Sequence, residues 1–321
     1  MKKMKWKKLG KIFDPRDWKL ANNCELFAQS PQALLFDNFI RIYFSTRCQD
    51  NGKFLSHISF VDMEKNLKKI IRVSDKTVIP LGDLGTFDEH GIFPMNVMRQ
   101  SDKVYGYICG WNRRVSVSVD TAIGLAISRD EGLTFQRFGS GPVLAASLNE
   151  PFLVGDGFVR EFNGKFHMWY IFGTGWKRYD ENSAPDRTYK IGYATSYDAI
   201  KWVKNEGVQI VPDKLGPDES QALPSVVKID DTYHMFFCYR QSFDFRQAKG
   251  RGYQLGHAWS IDLENWNRAD DNPVMENSED SWDSDMVCYP QAFNLEGRTY
   301  LLYNGNEFGK FGFGAAVLEY E

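Results

Sequence analysis

Acidic and basic side chains are sorted along this chain with a regularity that could build a binding pocket. Carboxylates stand ahead of each of a series of aromatic-rich hairpins: Asp88 and Glu89 beside His90, Glu150 and Asp156, Asp218 and Glu219 beside Gln221, and Asp283 and Asp285. Cationic and polar residues stand where the same hairpins end: Arg47, Trp111 with Arg113 and Arg114, Trp176 with Lys177 and Arg178, Arg240, and Asn304. If both sets meet, they form a site for a polar ligand with an anionic group, such as a sugar acid, a phosphate or a nucleotide sugar. The alternative is that the acids and bases only neutralise one another.

Whether they meet depends on the elements that carry them. The stretch VGDGFVREFNGKFHMWYIFG, from Val154, predicts strands at 158–161 and 165–172 joined at Asn163-Gly164, a pair suited to a tight hairpin turn. Related stretches begin at Pro31, Pro94, Pro224 and Pro290, with Gly157 in the proline position of the central copy. Two further strands follow the hairpin, joined by a Ser-x-Asp turn at Ser128, Ser196 and Ser260. The run Ser128-Arg129-Asp130-Glu131-Gly132-Leu133-Thr134-Phe135 resembles the Asp-box of sialidases, where the Asp side chain can bond its own backbone. Four strands repeated about five times predict an all-β, five-bladed β-propeller of four-stranded antiparallel blades. It would occupy residues 1–321 as one domain. The last unit stops after its third strand, and residues 5–13 resemble 201–210, so the N-terminal strand is expected to complete the last blade. In such blades the approaches to the first strand and the exits from the second lie on one face.

The blade pattern resembles the five-bladed propeller glycosidases: arabinanases and β-xylosidases, invertases and levansucrases, and mannoside phosphorylases. Gly155-Asp156-Gly157-Phe158-Val159 is similar to their Asp-Pro-x-Val blade starts, and Glu219-Ser220-Gln221-Ala222-Leu223-Pro224 to an acid-bearing later blade. The first hairpin carries Gln29-Ser30-Pro31 where those hydrolases place an Asp-Pro. The resemblance implies an enzyme cleaving a saccharide with paired carboxylates, one donating a proton and one activating water or attacking carbon, and the sorted charges make that saccharide a small, anionic one. It implies Glu219 as general acid, Asp156 as charge stabiliser and Asp88 as base, with Glu89 its rival. Arg47, Arg113 and Arg240 would hold the anion; His90, Trp111, Trp176, Gln221, Asp285 and Asn304 would complete the substrate site. Phosphorolysis or glycosyl transfer on the same fold, and sugar binding without catalysis, are the alternatives.

A net charge of −3 argues against a nucleic-acid surface. The basic start MKKMKWKK is not followed by an apolar signal run, and no apolar stretch is long enough to span a membrane. Five cysteines without paired spacing suit free thiols in a reducing cytoplasm. The scattered histidines His57, His90, His167, His234 and His257 make no metal motif, and no cofactor is expected.

Overall fold

The computed structural model describes residues 4–246, 248 and 250–320. It is all-β, with only single turns of helix. Strand β1 spans Met4–Phe13. The first repeat unit contributes β2 (Leu26–Leu35), β3 (Ile40–Asp50), β4 (Lys53–Met63) and β5 (Ile70–Val73). The second contributes β6 (Gly91–Gln100), β7 (Lys103–Arg113), β8 (Val119–Ser128) and β9 (Gln136–Arg137). The third holds β10 (Val154–Phe162), β11 (Lys165–Lys177), β12 (Asp186–Ser196) and β13 (Val203–Lys204). The fourth holds β14 (Glu219–Ile229), β15 (Thr232–Gln241), β16 (Gln254–Ser260) and β17 (Asn267–Arg268). The last holds β18 (Cys288–Leu295), β19 (Arg298–Asn304) and β20 (Phe313–Tyr320).

Within each unit the strands pair antiparallel in sequence order. β1 pairs along β20 and makes the fourth strand of the last sheet. A single parallel pairing, Ser56 with Gly91, joins the first two units into one eight-stranded sheet. The strands of the central hairpin run longer than the sequence suggests, because Val154–Gly155 and Gly173–Lys177 also enter the ladder. Asn163 and Gly164 both take positive φ, 55° and 73°, as a two-residue turn of this kind requires. The outermost strands β9, β13 and β17 are two residues long, which leaves little free edge for unwanted pairing.

The first strands of the units pack against one another in a cycle: β2 on β6, β6 on β10, β10 on β14, β14 on β18, and β18 on β2. A hydrogen bond crosses each junction. Asn96 donates to Gln32 at 2.9 Å and accepts from the Val159 amide at 2.9 Å. Asp156 accepts from the Leu223 amide at 3.3 Å, Ser225 from Ala292 at 2.9 Å, and Gln291 from Ala33 at 3.1 Å. All but the Asn96–Gln32 bond, which joins two side chains, satisfy main-chain donors that would otherwise be buried unpaired where two sheets meet.

The Ser-x-Asp turns are structural. Asp130 accepts from the Thr134 amide at 2.9 Å, Asp198 from Ile200 and Lys201, and Asp262 from Glu264 and Asn265. All five cysteines are free, and four are buried.

Candidate active site

Every first strand contains an extra residue at the same repeat position. The register slips between Gln29 and Gln32, Ile92 and Met95, Gly155 and Phe158, Ala222 and Ser225, and Cys288 and Gln291. Such a bulge re-aims the side chain it carries. The residue just before the repeat's proline therefore takes a special place, and in order these residues are Ser30, Phe93, Asp156, Leu223 and Tyr289. Ser30, Asp156, Leu223 and Tyr289 all have positive φ, between 50° and 56°. Phe93, Asp156 and Tyr289 line one cavity of about 560 Å³. This is the size of a typical small-molecule site. Asp156 is the sole carboxylate in this set of five.

Asp156 is held closely. A Cβ on Gly155 would come within 2.8 Å of the Cys109 sulfur, and one on Gly157 within 2.9 Å of Ile123. Asp156 as a whole is 8% exposed. Burial raises its pKa from 3.8 to about 7, against the opposing pull of the Leu223 amide and the Arg187 charge. It can therefore hold a proton at neutral pH and release it to a bound group, which suits a general acid.

The remaining wall is aromatic and cationic. Phe27, Phe54, Trp111, Tyr189, Tyr253, Phe245 and Phe308 line it with Arg47, Lys53, Arg113, Arg187, Arg240 and Arg246. Besides Asp156, the one carboxylate on the wall among the described residues is Glu307, which also pairs with Lys310 at 2.6 Å. Arg113 pairs with Asp50 at 3.2 Å and Arg246 lies 4.0 Å from Asp186. Arg240 is buried, donates to the Gln241 and Ser242 carbonyls and the Tyr189 hydroxyl, and stacks 3.5 Å from the Phe245 centroid. Arg47 lies over Phe27 at 4.7 Å.

Of the residues expected from sequence, Arg47, Trp111, Arg113, Asp156 and Arg240 come together on this wall. Asp88 and Glu219 do not line the cavity, which corrects the expectation that they act there as base and acid. Both are fully buried in ion pairs that point toward the outer strands. Asp88 pairs with Arg137 on β9, and Glu219 with Arg268 on β17 at 2.6 Å. Glu219 also accepts from the Lys214 and Leu215 amides at 2.8 Å. Glu150 with Lys204 on β13, and Asp283 with Lys8 on β1, repeat the same strut at 2.6 Å each. Four units thus tie an acid ahead of the first strand to a base on the fourth. This explains the regular acids in the sequence, and it leaves the hairpin-end arginines without those partners.

The other expected contacts also fall off the wall. Glu89 accepts from the Gly85 amide at 2.9 Å. His90 stacks on Trp111 at 5.9 Å and faces the Arg113 amide, one layer behind the wall. Trp176 lies under Arg187 at 5.6 Å. Gln221 donates to Glu219 and to the Val211 carbonyl. Asn304 is buried, accepting from the Ser30 amide and donating to the Ala28 and Gly312 carbonyls. Asp285 is exposed. Tyr289 could have been found from sequence, since it shares the repeat position of Asp156. Arg187 lies at the start of β12, Phe308 in a single helical turn, and Phe245 and Arg246 on a loop, and none of them carries a repeat signal. Among the described residues, no group of three or more His, Cys, Asp or Glu could hold a metal ion.

No family model matches the chain. Two curated relatives from Mycobacterium tuberculosis, the uncharacterized proteins MT1551 (strain CDC 1551 / Oshkosh) and Rv1502 (strain ATCC 25618 / H37Rv), are each 34% identical over 320 residues, covering 98% of this chain and 100% of theirs. Among solved structures, a glycoside hydrolase superposes with a TM-score of 0.73 at 15% identity, covering 97% of this chain and 92% of that one. The β-1,2-mannobiose phosphorylase from Listeria innocua, in complex with β-1,2-mannobiose, gives 0.66 at 12%, covering 98% and 96%. A thermostable family-43 glycoside hydrolase gives 0.64 at 13%, covering 94% and 90%. The chain therefore belongs to the family of MT1551 and Rv1502, and it carries the fold of the propeller glycoside hydrolase superfamily.

Proposed function

We propose that this protein is an enzyme acting on a glycosidic bond of a small anionic saccharide, with Asp156 as proton donor to the leaving oxygen. The carrying observation is a lone buried carboxylate, poised near neutrality, in a cavity walled by aromatic rings and arginines. Rings of this kind stack on sugar faces, and guanidinium groups take the anion. Glu307 is our candidate for activating the incoming water, since no other carboxylate of the described residues shares the wall with Asp156. Asp88 and Glu219 hold the scaffold.

We also infer that the five units are the blades of one closed propeller formed by residues 1–321, with the cavity at its axis. The cycle of first-strand contacts and junction hydrogen bonds supports that reading. The compartment we propose is a reducing cytoplasm, in keeping with five free thiols.

The test is a screen of neutral, uronic-acid and phosphorylated glycosides against the wild type and Asp156→Asn, with product stereochemistry by NMR. The variant should lose at least about a hundredfold in kcat on any substrate found, the ordinary worth of a general acid. In the wild type kcat/KM should fall tenfold per pH unit above about 7, as Asp156 loses its proton. Full activity in Asp156→Asn would overturn the assignment.

A further inference from the structure

Three of the arginines on the cavity wall have no carboxylate. Arg47, Arg187 and Arg240 take part in no ion pair among the described residues. Apart from the pull of the Arg187 charge on Asp156, their positive charges are met by rings, carbonyls and hydroxyls. Arg47 rests on Phe27 at 4.7 Å, and its Nε is buried without a hydrogen-bond partner. Arg187 lies over Trp176 and, among the described residues, its guanidinium hydrogen-bonds only to the Ser118 hydroxyl, at 3.4 Å. Arg240 is 2% exposed, and its Nε is likewise buried and unpartnered. A fourth guanidinium, Arg246, sits 4.2 Å from the ring of Phe245 that Arg240 also faces.

Burial costs Arg47 and Arg240 their hydration, and a guanidinium without an anion does not recover it. These four groups are also close enough to feel one another. Burial lowers the Arg246 pKa first, and the charges of Arg240 and Arg187 lower it further, against the opposing effect of Asp186. Burial does the same to Arg47, where Arg246 adds to the effect. Elsewhere in this molecule several buried cations are matched: Arg41 with Asp62, Arg268 with Glu219 and Asp270, and Lys204 with Glu150. Arg160, over Phe158 and against the Val97 and Val159 carbonyls, is in no ion pair among the described residues, but it stands apart from the cavity, where several such arginines gather.

We propose that Arg47, Arg187 and Arg240, with Arg246 at the rim, form a subsite for a phosphoryl dianion. This rests on, and narrows, the reading of the cavity as a site for an anionic saccharide. A sugar carboxylate brings one charge and two oxygens, and would leave two arginines unmatched. A phosphoryl group brings up to two charges and three acceptor oxygens, and guanidinium forks suit it. Arg240 is already oriented, clamped by the Gln241 and Ser242 carbonyls and the Tyr189 hydroxyl, so little side-chain freedom is lost on binding. The phosphoryl group has two sources, a phosphate ester on the saccharide or inorganic phosphate.

The experiment is thermal denaturation and calorimetry on the full chain at pH 7.5 and fixed ionic strength. The probes are inorganic phosphate, glucose 1-phosphate, glucose 6-phosphate and glucuronate. A phosphoryl probe at a hundred times its Kd should raise Tm by about 4 °C, and glucuronate at the same concentration should not. Arg187→Ala should weaken the phosphoryl probes at least tenfold, as should Arg240→Lys. Arg114→Ala, an exposed arginine paired with Asp120 off this wall, should bind them as the wild type does. A phosphosugar binding tenfold more tightly than inorganic phosphate assigns the group to the substrate. Equal affinity, with cleavage accelerated by added phosphate, assigns it to a free acceptor.

Glucuronate binding as tightly as the phosphoryl probes would overturn the subsite, as would unchanged affinity in both Arg187→Ala and Arg240→Lys. Asp156→Asn separates this proposal from the catalytic one. Phosphoryl binding retained with turnover lost supports both. Turnover retained overturns the proton donor alone, and a wild type indifferent to phosphoryl probes overturns the subsite alone.

Discussion

Asp156→Asn should make the protein more stable above pH 7 while removing its activity. In the folded chain burial lifts the Asp156 pKa from 3.8 to about 7. Between those values the native state keeps a proton that the unfolded chain has released. The native state binds more protons there, so stability falls as pH rises from about 4 to about 7 and is level above. At 1.36 kcal/mol per pH unit, the full cost above pH 7 is about 4 kcal/mol, an upper estimate. Asparagine carries no charge at any pH and keeps an oxygen to accept from the Leu223 amide. The variant should therefore match the wild type near pH 4 and exceed it by up to about 4 kcal/mol at pH 8. With an unfolding entropy of about 2.1 cal/mol/K per residue, that is about 6 °C in Tm for a chain of 321 residues. The assay is thermal or urea denaturation of both proteins at pH 4.5, 6 and 8. Parallel curves for the two, with no widening toward pH 8, would show that Asp156 ionises as an ordinary carboxylate, and the argument for a neutral proton donor would fail.

Glu219→Gln should behave in the opposite way: a stability loss of about 3 kcal/mol, because Arg268 loses one of its two buried carboxylates, with substrate KM unchanged. Denaturation midpoints beside steady-state kinetics would check it, and a KM effect would return Glu219 to the site. The stacked pair His234 and His257, 2.9 Å apart between ring nitrogens, should make the protein acid-sensitive. Burial, and then the neighbouring His257, lowers the His234 pKa from 6.5 to about 4. The native state there resists a proton that the unfolded chain takes up below pH 6.5. Stability should thus fall by about 3 kcal/mol as pH drops from 6.5 to 4. A His234→Gln variant measured across this range should show a shallower fall.

The repeat was legible because its signals are local. Asn163-Gly164 needs only its own φ angles, and the Ser-x-Asp turns at Ser128, Ser196 and Ser260 bond to their own backbone. A match between residues 5–13 and an outer strand was likewise enough to anticipate where β1 would pair. Asp156 also stood out, since it occupies the position before the repeat's proline. The acids nearby misled, because sequence shows that a carboxylate precedes a strand but not which way it turns. Asp88, Glu150, Glu219 and Asp283 turn outward to bases on the fourth strands, whereas the bulge turns Asp156 toward the cavity.

By itself, then, the sequence determined an all-β chain of repeated four-stranded units and the identity of one well-placed carboxylate, since both follow from short-range turn and strand preferences. Tertiary structure decided which charges cancel. Pairing each approach acid with an outer-strand base requires the unit to fold onto itself, and only then do Arg47, Arg187 and Arg240 stand without carboxylate partners. The balance of charge in a cavity is a property of distances across the whole chain, and no local pattern encodes it.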